Sequence, residues 1–301
     1  MKEKVIIGID IGGTNFRIGA VDRENRVLNF RRLPVTEVLK GGDAIRELAA
    51  FIEEYMQELS REAAAVAIGF PAPLDKQRKT VLKAPNLPQL ENLPVSDGLQ
   101  RMLGLPVLIE RDVNMLLACD MENYRISEQG VVCAFYFGTG IGNAIFVNGR
   151  PYVGRNGAAG ELGHIPVDGS EQACGCGLHG CMENLAGGKY LVSLREKSYP
   201  DTPMEELFVR HGEEPLLLQF VDRMAQAVST ELTILDPDQV LIGGGVPAMK
   251  AFPREKLNER IAAHTKNAFA KNSPEIIYTR DNEEKGVIGA AIYCRSKIDQ
   301  H

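Results

Sequence analysis

Apolar positions at the start of the chain follow one period and then another. Residues 5–21 read Val-Ile-Ile-Gly-Ile-Asp-Ile-Gly-Gly-Thr-Asn-Phe-Arg-Ile-Gly-Ala-Val, two apolar runs broken by glycine and threonine. Their β-branched content and central glycines predict strands at about 4–10 and 16–22 joined by a tight hairpin, with a third strand at about 26–33. The period then lengthens, and Ile45, Leu48, Ala49, Ile52, Tyr55 and Met56 share one face of a helix expected over Gly42–Ser60. Ala63–Phe70 and Val107–Glu110 read as buried strands, and Asp112–Glu122 as a helix.

The pattern then repeats. Residues 131–147, Val-Val-Cys-Ala-Phe-Tyr-Phe-Gly-Thr-Gly-Ile-Gly-Asn-Ala-Ile-Phe-Val, match the first hairpin in length and place Gly138 where Gly12 stands. A loop, helices and a strand follow, and a last helix is expected over Gly286–Arg295. An order β-β-β-α-β-α-β-α in each half implies α/β sheets with helices on their faces, and near-equivalent hairpins opening each half point to a duplicated domain. The expected division is a small N-terminal α/β domain over 1–115, with the C-terminal helix 286–298 packing back on it, and a larger one over 116–285 that carries a loop at 164–183.

The 301 residues are 44% hydrophobic and 25% charged, as in ordinary globular proteins. A net charge of −6 argues against a nucleic-acid partner, which calls for a basic stripe. No apolar run approaches the roughly 20 residues of a membrane span, and the stretch after Met1-Lys2-Glu3-Lys4 is too short for a signal peptide. The expectation is a cytoplasmic protein with no membrane partner.

The glycines carry the first chemical signal. A turn without side chains lets successive N–H groups approach a phosphate, and Thr14 and Thr139 add a hydroxyl to each hairpin. Asp10, ending the first strand, is an acid beside such a turn, suited to Mg²⁺ or its water. Neither a Walker-type G-x-x-x-x-G-K-[ST] run nor a G-x-G-x-x-G opening a helix is present. A third patch, Gly243-Gly244-Gly245 after the strand Val240-Leu241-Ile242, is either a strand-to-helix turn or bare backbone for a base or ribose.

The second signal is Gly160-Glu161-Leu162-Gly163-His164 followed by Cys174-Gly175-Cys176 and Gly180-Cys181-Met182-Glu183. Three thiols and an imidazole this close suit tetrahedral zinc, with His164 the preferred fourth ligand and His179 the alternative. Cys119, Cys133 and Cys294 are scattered in apolar contexts, as buried free thiols are. Glu161 and Glu183 flank the cluster as acceptors for hydroxyls. Asp112, where a strand meets a helix, is either an N-cap or a general base, with Arg111 beside it to orient a polar substrate. Arg78, Lys83 and Arg155 read as surface residues. Phosphate hairpins, a carboxylate base and acidic hydroxyl acceptors together describe phosphoryl transfer to a sugar.

Asp10-Ile11-Gly12-Gly13-Thr14-Asn15, Phe137-Gly138-Thr139-Gly140-Ile141-Gly142, Gly160-Glu161-Leu162-Gly163-His164 and the Cys174–Glu183 run resemble the ROK family (repressor, open reading frame, kinase) over essentially the whole chain. The resemblance implies a two-domain, actin-like ATPase (ribonuclease H-like) fold with an interdomain cleft, closing on ATP and an aldohexose whose 6-hydroxyl is phosphorylated. It makes Asp112 the catalytic base and Asn86, Arg111, Glu161, His164 and Glu183 sugar contacts. His164, Cys174, Cys176 and Cys181 become ligands of a structural Zn²⁺. Asp10, Gly12, Gly13, Thr14, Asn15, Gly138, Thr139 and Gly140 become the phosphate site, and Gly243–Gly245 lies near adenosine. A homodimer is the implied assembly.

Two departures bear on the sugar. Glucose-specific members of the family usually carry Asn where Arg111 stands and Gly where Ala72 follows Phe70-Pro71. The resemblance is greatest to members acting on D-allose, the C3 epimer of glucose; glucose, N-acetylmannosamine, N-acetylglucosamine and fructose are the alternatives. A sugar-responsive regulator is a remoter one, since a DNA-binding module would precede the core and the first strand is expected from residue 4. An actin- or Hsp70-like nucleotide switch would need neither the zinc loop nor the carboxylates.

Overall fold

The computed structural model describes residues 4–265 and 274–298; the charged start Met1-Lys2-Glu3 lies outside them. The elements run β1 (Val5–Ile11), β2 (Asn15–Val21), β3 (Val27–Pro34), α1 (Val35–Val38), α2 (Ala44–Gln57), β4 (Ala63–Phe70), α3 (Val95–Leu103), β5 (Val107–Arg111) and α4 (Asp112–Asn123). They continue with β6 (Val131–Phe137), β7 (Ile141–Val147), β8 (Arg150–Pro151), α5 (Glu183–Ala186), α6 (Gly188–Ser198), α7 (Leu207–His211), α8 (Pro215–Leu235), β9 (Gln239–Gly243), α9 (Arg254–His264), β10 (Ile276–Tyr278) and α10 (Lys285–Ile298). Two compact units result: Met1–Ile126 with Val153–Ala159 and Asn282–His301, and Ser127–Tyr152 with Gly160–Asp281.

The first unit is built on a sheet ordered β3-β2-β1-β4-β5, the second on one ordered β8-β7-β6-β9-β10. In both, the first three strands pair antiparallel and the last two add in parallel. Both hairpins join two strands of 7 residues, through Gly12–Thr14 in one unit and Gly138–Gly140 in the other. The duplication read from the sequence is therefore present strand for strand.

Period 2 decides what each face of the first sheet meets. Val5, Ile7, Ile9 and Ile11 of β1 join Val66, Ile68 and Phe70 of β4 in a core with Leu48, Ile52 and Tyr55 of α2. Asp43 caps α2, its carboxylate accepting the N–H of Arg46. Ile6, Ala65 and Ala67 face the other way, onto Val287, Ala290 and Ala291 of α10. That helix sits very close: a Cβ on Gly8 would lie 2.1 Å from the Val287 carbonyl oxygen, and one on Gly289 1.9 Å from that of Met115 in α4. A buried ion pair, Lys285 Nζ to Asp120 Oδ2 at 2.7 Å, fastens α10 to α4. The last helix of the second half of the sequence thus completes the first unit.

In the second unit, Cys133, Phe135 and Phe137 of β6 pack with Phe220, Val221, Met224 and Val228 of α8. Among the described residues no helix is long and apolar enough to cross a membrane.

Candidate active site

In the first unit the candidate residues gather where β1, β4 and β5 end. Asp10 is an even position of β1, so its side chain falls on the face that α10 covers. Arg17 stands opposite it in the β1–β2 register and donates Nη1 to its Oδ2 at 2.9 Å. A Cβ at Gly286 would lie 2.6 Å from the Asp10 Cγ, so glycine lets the start of α10 close in on this carboxylate. Helix N-termini favour negative charge, and a half-buried hard oxygen donor beside a glycine turn suits Mg²⁺, which retains waters and takes phosphate oxygens.

The turn after β1 closes with Gly12 N–H donating to the Asn15 carbonyl at 2.8 Å, leaving Gly13 and Thr14 exposed at its tip. Asn86 comes in beside it: a Cβ at Gly13 would be 3.3 Å from the Asn86 Cβ. The Asn86 side chain thus sits against the Gly12–Thr14 turn, although 71 residues of other structure separate them in sequence.

Asp112 opens α4 in the first helical position, with Arg111 as the N-cap residue, so the N-cap alternative for Asp112 is replaced by a first-turn carboxylate. It is half-buried, its Oδ1 accepts the N–H of Val113 at 2.7 Å, and a Cβ at Gly69 would come 3.3 Å from its Cα. Arg111 is buried, and its Nη1 donates to the Ala159 carbonyl at 2.6 Å.

The residue before them was not foreseen. Glu110 is 1% exposed and accepts from the Arg111 N–H at 2.9 Å, the Asn114 Nδ2 at 3.0 Å and the Tyr293 hydroxyl at 3.1 Å. Arg78 Nε adds a charged donor at 3.0 Å. Arg78, expected on the surface, is partly buried in this ion pair, and its Nη1 donates to the Gly157 carbonyl at 2.9 Å. A turn of five polar residues, Asp75–Lys79, made it read as solvated; only a carboxylate inside the apolar strand Val107-Leu108-Ile109-Glu110 hinted that a cation must come to meet it. Lys83 and Arg155 are exposed. Burial, followed by the Glu110 charge, pushes the Tyr293 hydroxyl well above the usual tyrosine range.

In the second unit the metal-ligand cluster forms. The ligand atoms of His164, Cys174, Cys176 and Cys181 all lie within 4.8 Å of one another, while His179 is exposed and outside the group. The knot is shaped by its backbone: Cys174 N–H donates to the Leu178 carbonyl, Gly180 N–H to Gln172 and Met182 N–H to Ile165. Gly180 has φ +72°, and a Cβ there would lie 2.2 Å from the Ser170 carbonyl oxygen. The two nitrogens of His164 face different ways, Nδ1 lying 3.6 Å from Cys174 Sγ and Nε2 3.8 Å from Glu161 Oε2. Burial, then the neighbouring thiols, push Cys181 up to about 12, so binding a metal here displaces protons. Three thiols and one imidazole nitrogen converging in this way fit a tetrahedral zinc. Cys119, Cys133 and Cys294 are buried and form no disulfide.

Glu183 opens α5 directly after the knot, and its carboxylate reaches the turn Gly138–Gly140, accepting the Ile141 N–H at 2.9 Å. The Gly243–Gly245 patch abuts the same turn: a Cβ on Gly244 would stand 2.6 Å from the Phe137 carbonyl, and Val246 N–H donates to that oxygen. Gly138 and Gly245 have open space where a side chain would project. Turn, rather than helix, follows Gly245, and α9 begins only at Arg254.

The sequence pattern of the ROK family matches residues 6–297. The chain belongs to the ROK family. It is 29% identical to the glucokinase of Thermotoga maritima over 320 aligned positions, covering 99% of both chains. It is 30% identical to the N-acetyl-D-glucosamine kinase of Pectobacterium atrosepticum over 304 positions, covering 95% of this chain and 97% of that one. The ROK hexokinase from Thermus thermophilus superposes with a TM-score of 0.78 at 26% identity, over 99% of this chain and 100% of that one. A ROK family glucokinase from Streptomyces griseus, solved with glucose and AMPPNP, gives a TM-score of 0.80 at 24% identity, over 97% and 99%. The two-sheet α/β architecture is accordingly the actin-like ATPase fold of ROK proteins.

Proposed function

We propose that this ROK chain is a sugar kinase that transfers the γ-phosphoryl group of ATP to the 6-hydroxyl of an aldohexose, D-allose before other hexoses. The observation that carries the phosphoryl-transfer reading is the paired architecture: each unit ends its first strand in a glycine turn, and each turn has a carboxylate against it or beside it, Asp10 in one and Glu183 in the other. Membership of a family whose relatives include a glucokinase and an N-acetyl-D-glucosamine kinase supports the same activity.

In this reading Asp112 accepts the proton of the 6-hydroxyl as its oxygen bonds to the γ-phosphorus and the bond to the ADP oxygen breaks. The turns at Gly12–Asn15 and Gly138–Gly140 hold the phosphates, and Gly243–Gly245 leaves room for the nucleoside. Asn86, Glu161, His164 and Glu183 hold the sugar hydroxyls. Asp10 would hold Mg²⁺, directly or through its water; when bound, the ion neutralises charge on the phosphates. His164, Cys174, Cys176 and Cys181 would hold zinc, which supplies rigidity to the wall carrying His164 and Glu183.

The D-allose assignment rests on Arg111 and on Ala72, which follows Phe70-Pro71 in the chain and is buried. A guanidinium fixed beside the base presents donors where glucose-specific relatives carry a shorter amide, and a site built for one hydroxyl configuration rejects its epimer by leaving buried polar groups unpaired. The kinase relatives favour glucose or N-acetyl-D-glucosamine as the second reading. An ADP-release assay with Mg-ATP over D-allose, D-glucose, D-mannose, D-fructose, N-acetylglucosamine and N-acetylmannosamine decides between them. The expected result is the highest kcat/KM with D-allose. A preference for another sugar retires the epimer assignment, and no turnover with any retires the kinase.

A further inference from the structure

The second glycine turn is gripped from two sides. Besides the bond from Ile141 N–H to Glu183 Oε2, the fit is tight enough that a Cβ at Gly140 would stand 2.0 Å from that oxygen. On the other side, the N–H groups of Gly188 and Lys189, which open α6, donate to the carbonyls of Gly138 and Thr139 at 2.8 and 2.9 Å. Glycine is required here too, since a Cβ at Gly188 would lie 2.3 Å from the Gly138 oxygen. One corner of chain, Glu183–Lys189, therefore holds the backbone of the whole turn, and it starts two residues after Cys181.

A carboxylate beside an anion site repels the ligand, so its presence asks for a compensating role. The bond to Ile141 supplies one. Amide bonds to ionised acceptors are among the stronger ones, and a turn rich in glycine is otherwise loose. Holding the turn before the ligand arrives lowers the ordering cost of binding.

We propose that Glu183 is a positioning residue for nucleotide binding: its carboxylate fixes the Ile141 amide and so sets the Gly138–Gly140 turn, in addition to any contact with sugar. The inference rests on reading that turn as a phosphate site. It separates Glu183 from a residue serving the sugar alone, because it acts when no sugar is present.

The test is calorimetric binding of Mg-AMPPNP without sugar to wild type, Glu183→Ala, Glu183→Gln, Gly140→Ala and the double variant Gly140→Ala/Glu183→Ala, with thermal melts confirming that each folds. Losing a charge-assisted bond predicts a Kd roughly tenfold weaker for Glu183→Ala. Glu183→Gln keeps an acceptor and is expected within about threefold of wild type. Gly140→Ala should weaken binding in the wild-type background and much less once the Glu183 carboxylate is gone. Nucleotide affinity unchanged in Glu183→Ala, with only the sugar KM raised, overturns the proposal and leaves the phosphate reading intact. Wild type that binds no Mg-AMPPNP overturns both.

Discussion

Arg78 Nε lies 3.0 Å from the Glu110 carboxylate, and the two side chains are 11% and 1% exposed. The pair joins a turn after β4 to the end of β5, and through Tyr293 it reaches α10. The same guanidinium holds the Gly157 carbonyl, and Arg111 holds that of Ala159, so two arginines pin the segment Val153–Ala159 onto the first unit. That segment leads into Gly160-Glu161.

Removing one partner of such a pair strands the other charge. Arg78→Ala is expected to cost roughly 3–5 kcal/mol of stability, far more than an exposed ion pair is worth. Urea unfolding of the variant measures it, and a loss under about 1 kcal/mol would show that the pair is not structurally important.

Asp112→Asn keeps the shape of the α4 terminus while removing the proton acceptor. The expected fall in kcat is about 10²–10⁴-fold, with the sugar KM nearly unchanged. A variant turning over like wild type would take Asp112 out of the role.

The duplicated sheets were legible because strands with period 2 and glycine turns report themselves locally, and the zinc-type ligands because they crowd into one short loop. Glu110 and Arg78 were hidden by sequence distance: nothing in the turn Asp75–Lys79 announces that one of its cations is drawn into the protein. The N-cap alternative for Asp112 failed by one position, since Arg111 keeps an extended φ/ψ and takes the cap site. The reason for glycine at 8, 286 and 289, the close seating of α10, is visible only in three dimensions.

Arg111→Asn cannot span to the Ala159 carbonyl. If the guanidinium sets epimer choice, the ratio of kcat/KM for D-allose over D-glucose should fall roughly tenfold or more. A ratio that stays put while both values drop would make Arg111 a support for Val153–Ala159 alone.

Purified protein is expected to carry about one zinc ion per chain, since the ligand set is complete. Stripping it with a strong chelator should lower the melting temperature and weaken both sugar and Mg-AMPPNP binding, because Cys181 leads directly into Glu183. Metal-free protein with an unchanged melt would remove the knot from that structural role.

Glu231 gives the clearest pH dependence. It is buried on the inner face of α8, accepting from Asn143 Nδ2 at 3.0 Å, and burial raises its carboxyl above the ordinary value. Native protein therefore holds this proton more tightly than unfolded chain. The stabilisation is complete below the unfolded value, about 4.3, and is lost as pH rises toward the folded one. Glu231→Gln is neutral throughout and avoids that loss. Its stability relative to wild type should therefore grow between pH 5 and pH 8, by at most about 1.4 kcal/mol per pH unit. Urea melts of both proteins at the two pH values measure the difference. A gap that is the same at pH 5 and pH 8 would mean that the buried carboxyl titrates as it does in the unfolded chain.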